Sequence, residues 1–268
     1  MGDLLVGKRA FITGSFQGIG LGIANVLASQ GAAIILHGLA SPEVVKSAED
    51  SVLAAGAQSV ESYVTDLRDS EETEVLIAKL LAAGPLDILV NNAGIQHTAP
   101  LAEMSREKWN DIIAINLSSY FDTMRLILPQ MKERGFGRVI NIASVHGLVA
   151  SIAKAPYVAA KHGVIGLTKA AALEYADAGS GETGGVTVNA ICPGWVETAL
   201  VEPQIQLRVE KFHGDRAAGV ADLLNEKQPS KRLSMTSDIG ELALWLCNRV
   251  AHNITGSAIT MDGGWTAQ

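Results

Sequence analysis

The sequence RAFITGSFQGIG fills residues 9–20, and it decides the fold. Its apolar and β-branched start predicts a strand over Arg9–Thr13. The glycines at positions 14, 18 and 20 then have the spacing of a tight turn between a strand and a helix, where positive φ and close ligand approach favour glycine. Free N–H groups at the start of the following helix favour an anionic group such as a pyrophosphate. Such a turn can also be purely structural, so its meaning depends on the rest of the chain.

Six further strand candidates follow, and helical patterns separate them. Most of these strands are apolar on both faces, as in a parallel sheet that is covered on both sides. The first helices end at Gly31, Gly56 and Gly84, which are typical C-terminal stops. We therefore predict an α/β fold, a single doubly wound Rossmann-type domain over residues 1–268, with a parallel seven-stranded sheet and helices on both faces. The predicted strands are Arg9–Thr13, Ala33–His37, Val60–Val64, Leu86–Asn91, Arg138–Ala143, Val186–Ile191 and Ser257–Met261.

Composition narrows the possible function classes. The chain has 268 residues, is 48% hydrophobic and 18% charged, and carries a formal net charge of −7. It has no basic run, so we do not expect it to bind nucleic acid. Two distant cysteines, Cys192 and Cys247, favour a reducing compartment, and neither has metal-ligand spacing. There is no signal peptide pattern and no apolar run of the ~20 residues that span a bilayer, so we predict a soluble, cytoplasmic protein without a membrane or metal partner.

Other strand ends carry residues suited to a dinucleotide. Asp66 follows the third strand and could accept a hydrogen bond from an adenine amino group, or simply cap a turn. The small residues in NNAG, at 91–94, would let the backbone approach a ribose. The second strand ends in LHGL, at 36–39, which has neither the acid that holds a ribose 2′-hydroxyl nor a base that pairs with a 2′-phosphate. Burying a 2′-phosphate without a cation is costly, so we predict NAD as the cofactor.

A tyrosine and a lysine, Tyr157 and Lys161, have the i,i+4 spacing that puts both on one face of a helix. A phenol with a pKa of ~10 is a poor base at neutral pH, and a neighbouring ammonium would lower that pKa. Ser144 follows the fifth strand and can hydrogen-bond a substrate oxygen. Asn116 lies in a helical stretch, where its amide can hold a water and relay protons through Lys161. A Tyr-x-x-x-Lys pair alone is more often a helix surface, but the combination indicates an acid/base site.

Together these elements resemble the short-chain dehydrogenase/reductase family over the whole chain. The resemblance is carried by the glycine turn, Asp66, NNAG at 91–94, Asn116, Ser144, YxxxK at 157–161 and PGxxxT at 193–198. It implies an oxidoreductase with the catalytic tetrad Asn116, Ser144, Tyr157 and Lys161, and a homotetramer. It also implies that Thr198 contacts the nicotinamide carboxamide. The cofactor-binding residues that it implies are Gly14, Ser15, Gln17, Gly18, Ile19, Gly20, Asp66, Leu67, Asn92, Ala93, Gly94, Tyr157, Lys161, Pro193, Gly194, Val196 and Thr198.

The segments around the predicted pocket are similar to bacterial D-3-hydroxybutyrate dehydrogenases. They include NAGIQH at 92–97, ASVHGLVAS at 143–151, CPGWV at 192–196 and DGGWTA at 262–267. This resemblance implies NAD-dependent oxidation of (R)-3-hydroxybutyrate to acetoacetate, and the reverse reaction. A small hydroxy acid offers few atoms for binding, so a cation and several donors must hold its carboxylate. The substrate-binding residues implied are Gln96, Ser144, His146, Lys154, Tyr157, Trp195, Gln204 and Trp265.

Other interpretations stay open at this level. A short-chain dehydrogenase acting on a different hydroxy acid, a sugar alcohol or a ketone would share the tetrad, and an NAD-sensing scaffold would share the fold. Residues 197–231 form a polar helical excursion after the sixth strand and are a candidate lid over the substrate. Pro156, Pro203 and the glycine-rich turn Asp177–Gly185 depart from the family pattern, and Pro203 bears on the motion of the lid.

Overall fold

A computed structural model of the chain describes residues 3–267, which form one parallel sheet covered by helices. The strands lie in the order β3-β2-β1-β4-β5-β6-β7. All neighbouring strands pair in parallel, so every connection crosses the sheet through a helical segment or a long loop. The strands are β1 (Arg9–Ile12), β2 (Ala33–Gly38), β3 (Ser59–Val64), β4 (Ile88–Asn91), β5 (Phe136–Ile142), β6 (Gly185–Pro193) and β7 (Ala258–Met261).

Helices cover both faces of the sheet, and each face has its own apolar layer. One layer packs side chains of the first, second and ninth helices against the sheet, and the other packs side chains of the third, fifth and sixth helices. This arrangement explains why the central strands are apolar on both sides. The helices are α1 (Gly18–Ser29), α2 (Pro42–Ala55), α3 (Ser70–Ala82), α4 (Arg106–Ile113), α5 (Ser119–Arg134), α6 (Ala155–Tyr175), α7 (Glu202–Lys211), α8 (Arg216–Lys227) and α9 (Thr236–Cys247).

The predicted α/β, doubly wound Rossmann-type fold is confirmed, and every predicted strand lies within two residues of an observed one. The excursion at 197–231 contains the helix pair α7 and α8, which pack against each other, and Arg208 of α7 forms an ion pair with Asp222 of α8. The turn at 177–185 precedes β6, and Gly179, Gly184 and Gly185 have positive φ there. Within residues 3–267, no helix is long and apolar enough to cross a membrane.

Candidate active site

A cleft opens at the carboxyl ends of the strands, where the strand order reverses between β1 and β4. It has a volume of about 680 Å³. Among the residues that the structure describes, its wall carries two lysines, Lys154 and Lys161, and no Asp or Glu, so an anionic ligand meets positive charge without a competing carboxylate. The predicted site residues on this wall are Gly14, Gln17, Gly18, Ile19, Asn92, Gly94, Gln96, Ser144, His146, Lys154, Tyr157, Lys161, Pro193, Gly194, Trp195, Val196, Thr198, Gln204 and Trp265.

The glycine turn forms a cradle between β1 and α1. Gly14 and Gly18 have φ values of +63° and +59°, which favour glycine. A Cβ atom on Gly20 would overlap the carbonyl oxygen of Gly14, so the close packing of this turn also requires glycine there. In the described structure, α1 has neither a side-chain N-cap nor an acidic residue in its first turn. Its first N–H groups are therefore available to an anion, and the cradle fits a dinucleotide pyrophosphate.

Two predicted cofactor residues, Ser15 and Ala93, do not line the cleft but make hydrogen bonds that support the glycine turn. The hydroxyl of Ser15 accepts a hydrogen bond from His37 N at 3.0 Å and donates one to Ile12 O at 2.8 Å. The backbone N–H of Ala93 donates to Thr13 Oγ1 at 3.0 Å. Both residues are buried, and their bonds hold β1 against its neighbouring strands. These bonds shape the glycine turn, and a direct cofactor contact of Ser15 or Ala93 stays a prediction.

Asp66 and Leu67 lie at the end of β3, outside the wall of the cleft. Leu67 is buried, and the carboxylate of Asp66 accepts hydrogen bonds from the guanidinium of Arg68 at 2.6 to 3.1 Å. These bonds hold the pKa of Asp66 below its usual range. An adenine contact of Asp66 stays a prediction, and it would have to share this carboxylate with Arg68.

Asn116 lies in a π-helical turn, Ala114–Ser118, between α4 and α5. Its amide accepts a hydrogen bond from Ile95 N and donates one to Ile95 O, both at 2.9 Å. These bonds use one of the two N–H donors and one of the two acceptor sites of the amide, so the expected water and proton relay through Lys161 stays a prediction. The pairing fixes the loop after β4, which carries Gln96 into the cleft. A direct catalytic role for Asn116 stays a prediction.

Tyr157 and Ser144 meet at the floor of the cleft. Tyr157 lies in the first turn of α6, and Ser144 directly follows Ala143 at the end of β5. Burial raises the pKa of Tyr157, and a hydrogen bond with the Ser144 hydroxyl opposes that rise. The phenol is thus protonated at neutral pH and can donate a proton. Nearby positive charge would have to stabilise the phenolate before it could accept one.

Lys161 lies one helical turn after Tyr157, and its ammonium is 5.7 Å from the centre of the Tyr157 ring. It donates to the carbonyl of Ile142 at 2.7 Å and to the hydroxyl of Tyr120 at 3.3 Å. Burial lowers the pKa of Lys161 to about 7. The sequence therefore placed the acid/base pair correctly on one helix face, and the structure surrounds it with few charged groups.

Lys154 sits at the N-terminal end of α6 and lines the same cleft as the glycine turn. Its ammonium lies over the ring of Trp195, 5.4 Å from the ring centre, and donates a hydrogen bond to Gln204 Oε1 at 3.4 Å. Lys154 is only 7% exposed, and within residues 3–267 no carboxylate pairs with it. Burial, and then the charge of Arg208, lower its pKa. A buried cation without a counter-ion is costly, so this position favours an anionic ligand.

Aromatic side chains wall the cleft between Lys154 and Tyr157. The imidazole of His146 lies edge-on to the rings of Tyr157 and Trp265, with centroid distances of 6.1 and 5.5 Å. Trp195 packs against Trp265 at 5.5 Å. Burial, helped by the charge of Lys154, lowers the pKa of His146 to about 4. His146 is therefore a neutral hydrogen-bonding group at pH 7, not a second cation for a carboxylate.

Comparison with known proteins supports this interpretation of the cleft. The profile of the short chain dehydrogenase family matches residues 8–207. The chain belongs to the short-chain dehydrogenase family. Its relatives include a D-beta-hydroxybutyrate dehydrogenase of Cupriavidus necator, 46% identical over 99% of this chain and 100% of the relative. Another, of Rhizobium meliloti, is 45% identical over 97% of this chain and 99% of the relative.

A solved structure shares the fold as well as the sequence pattern. A variant of actinorhodin polyketide ketoreductase, solved with NADPH, superposes with a TM-score of 0.88 at 32% identity, covering 97% of this chain and 98% of the other. The chain is thus an oxidoreductase of the short-chain dehydrogenase family. The alternative of a non-catalytic scaffold is not supported, because Ser144, Tyr157 and Lys161 all reach the same cleft.

Several residues of this short-chain dehydrogenase site were missed from the sequence, and two of them are Phe16 and Tyr120. Phe16 in the glycine turn is buried against Gly38 and lines the end of the cleft beside β2. Tyr120 contacts Lys161 from α5. Apart from its position in the glycine turn, no feature of the sequence indicated that Phe16 lines the cleft. Tyr120 lies four residues after Asn116, and that spacing could have drawn attention to it. Among residues 3–267, no group of three or more His, Cys, Asp or Glu is placed to hold a metal ion.

Proposed function

We propose that the chain catalyses the NAD-dependent interconversion of (R)-3-hydroxybutyrate and acetoacetate. The observation that carries this proposal is Lys154, a buried cation without a carboxylate partner in the described chain, which lines the same cleft as Tyr157 and lies three residues before it. A short hydroxy acid has its carboxylate and its hydroxyl a few bonds apart, so it can engage both residues at once. The two curated relatives named D-beta-hydroxybutyrate dehydrogenase support the same choice of substrate.

Each residue of the cleft would have its own role in the proposed reaction. A bound nicotinamide ring supplies the acceptor for hydride in oxidation and the donor in reduction. Ser144 would orient the substrate hydroxyl, and Tyr157 would take its proton in oxidation and return it in reduction. Lys161 would stabilise the phenolate form of Tyr157. Lys154, with Gln96 and Gln204, would hold the substrate carboxylate, while Trp195 and Trp265 exclude water from the pocket.

A substrate panel tests the proposal. NADH formation should be measured with both enantiomers of 3-hydroxybutyrate, the methyl ester of the (R) acid, and neutral secondary alcohols. We expect the (R) acid to have the highest kcat/KM. A higher kcat/KM for sugar alcohols or neutral ketones would favour a different substrate of the same family, and no turnover of any alcohol would exclude the proposed chemistry.

NAD is proposed over NADP because of the wall beside β2. The described residues that line it are Phe16, Gly38, Leu39, Ala40 and Val44, and none is basic. A 2′-phosphate there would lose water without gaining a cation. The ketoreductase solved with NADPH shows that this fold can hold a phosphorylated dinucleotide, so the choice depends on the side chains beside β2.

Cofactor preference gives a direct prediction. We expect kcat/KM with NAD to exceed that with NADP by at least about tenfold, the size of one charge-assisted hydrogen bond. Leu39→Arg, at a position 63% exposed, should raise kcat/KM with NADP by about the same factor. Gly38 is a poorer position, because a Cβ there would lie 3.0 Å from the Phe16 ring. Val75→Arg, on the exposed side of α3, is the control. Equal use of both cofactors by the wild type would contradict the proposal.

The helix pair α7 and α8 is proposed to close over the substrate. Gln204 of α7 already contacts Lys154, and Val201 and Ile205 anchor the pair in a small apolar cluster. We expect backbone amides of residues 197–231 to exchange more slowly with deuterium when NAD and a substrate analogue are both bound. Exchange that is unchanged in the ternary complex would indicate a static segment.

A homotetramer is proposed on the family resemblance. Strand β7 lies at the edge of the sheet with partly exposed residues, as a strand at a subunit contact would. The molar mass in solution, measured by light scattering at micromolar concentration, tests this, and a monomer would contradict it.

A further inference from the structure

Tyr120 is a fully buried tyrosine of α5 whose hydroxyl lies 3.3 Å from the ammonium of Lys161. An ammonium has three N–H donors. In Lys161 one donates a hydrogen bond to the carbonyl of Ile142 and another to the hydroxyl of Tyr120. Within the described chain the third donor has no hydrogen-bond partner, and Lys161 lies on the wall of the cleft. We propose that Tyr120 is a positioning residue, whose hydroxyl keeps Lys161 protonated and directs its remaining donor toward the reaction site. This inference rests on the proposed function of the cleft.

The direction of the hydrogen bond follows from the surroundings of Tyr120. Its single proton has two backbone acceptors in reach, Ala93 O at 3.2 Å and Ile142 O at 3.1 Å. The oxygen lone pairs therefore face Lys161, which can only donate. Complete burial raises the pKa of Tyr120 well above its usual value, so it stays a neutral phenol and does not compete with Tyr157 as a base. The ring adds to the same effect, since its centre lies 5.1 Å from the ammonium.

Lys161 depends on such neutral partners because little else stabilises its charge. The titratable groups that face it are Tyr157 on its own helix, Tyr120 from α5 and Cys192 from β6. Burial raises the pKa of Cys192 to about 11, so this thiol is neutral at pH 7. In the part of the chain that the structure describes, no carboxylate pairs with Lys161. The carbonyl of Ile142 and the hydroxyl of Tyr120 are therefore the groups that oppose the loss of its proton.

Tyr120→Phe removes the hydroxyl and keeps the ring under the ammonium. The charged form of Lys161 loses an acceptor, so its pKa should fall by about one unit, the size expected for a hydrogen bond to a charged group. In unliganded protein with ¹³C-labelled lysine, the Cε resonance of Lys161 reports this directly, and Lys161→Met assigns it. Thr123→Val, which deletes a buried hydroxyl one turn further along α5, is the matched control and should leave that midpoint in place.

Turnover gives a second measurement with a distinct pH signature. In the oxidation direction the proposed chemistry needs the Tyr157 phenolate beside the Lys161 ammonium, so kcat/KM for the hydroxy acid should follow the protonated fraction of Lys161. Lys161 has one titration midpoint in the wild type and a lower one in Tyr120→Phe. At a pH below both midpoints Lys161 is protonated in both proteins, so they should have similar kcat/KM. Above both midpoints a one-unit shift leaves about a tenth of the ammonium, so the variant should be about tenfold slower. On the Lys161→Met background, Tyr120→Phe should have no further effect on kcat/KM.

The outcomes separate this inference from the proposed function. An unshifted Lys161 midpoint, or a loss of kcat/KM that is the same at every pH, would overturn the role of Tyr120 and leave the function intact. Wild-type protein without turnover of any hydroxy acid would overturn the function, while the resonance titration still tests Tyr120. If Tyr120→Phe is recovered in low yield, Tyr120→Met fills the same site without a hydroxyl and should show the same shift.

Discussion

Replacing Tyr157 with Phe is expected to lower kcat by about 10²- to 10⁴-fold, the range typical of a general acid/base. The ring keeps its place against His146, and the lost atom is the phenol oxygen that would exchange a proton with the substrate. Cofactor affinity should change little, because the glycine turn and α1 do not depend on this hydroxyl. The measurements are steady-state kinetics and the quenching of protein fluorescence by NADH.

Tyr63→Phe is the matched control for Tyr157→Phe. Tyr63 lies on β3, outside the cleft, and donates a hydrogen bond to Glu61 at 2.9 Å. Its loss should leave kcat unchanged. If Tyr157→Phe instead keeps most of the wild-type kcat, another group carries the proton and the assignment of Tyr157 fails.

Lys154→Met should lower kcat/KM for (R)-3-hydroxybutyrate by about 10- to 150-fold, which corresponds to a charge-assisted hydrogen bond of ~1.5–3 kcal/mol. Methionine preserves packing over Trp195 and removes only the ammonium. The upper part of the range is expected, because the substrate carboxylate would lose its cation in a pocket walled by tryptophans. Gln96→Ala and Gln204→Ala should have smaller effects, since amides are neutral donors.

The structure adds a second expectation for Lys154→Met. Burial and Arg208 already disfavour the charged form of Lys154, so removing it relieves a cost in the unliganded protein. We therefore expect a melting temperature equal to or above that of the wild type, together with the loss of substrate affinity. This combination distinguishes a binding residue from a structural one, whose removal lowers both.

Two controls make the Lys154 experiment specific. Lys169→Met changes an exposed lysine of the same helix and should alter neither kcat/KM nor cofactor affinity. The methyl ester of the substrate carries no charge, so Lys154→Met should discriminate less between acid and ester than the wild type does. A Lys154 variant that turns over the acid as well as the wild type would remove the main physical support for a carboxylate substrate.

The sequence alone determined the fold and most of the candidate site, because the signals for both are patterns among residues close together in the chain. Glycine spacing after β1, apolar runs of strand length and glycine stops after helices each depend on neighbouring residues, so the doubly wound sheet could be predicted in order. In a doubly wound sheet the carboxyl ends of the strands meet at one edge. That rule brings Ser144 and the glycine turn to one cleft, and the start of α6 adds Tyr157 to it.

Only the tertiary structure decided how individual side chains are used, because burial and pairing depend on residues that are distant in the chain. The amide of Asn116 pairs with the backbone of Ile95, 21 positions earlier, and Arg68 donates to Asp111, 43 positions later. Tyr120 reaches Lys161 across 41 positions. Lys154 could be read from the sequence as a solvated loop lysine. Its burial without a carboxylate partner in the described chain appears only when α6, α7 and the tryptophans pack together, and that packing turns an ordinary lysine into a candidate anion site.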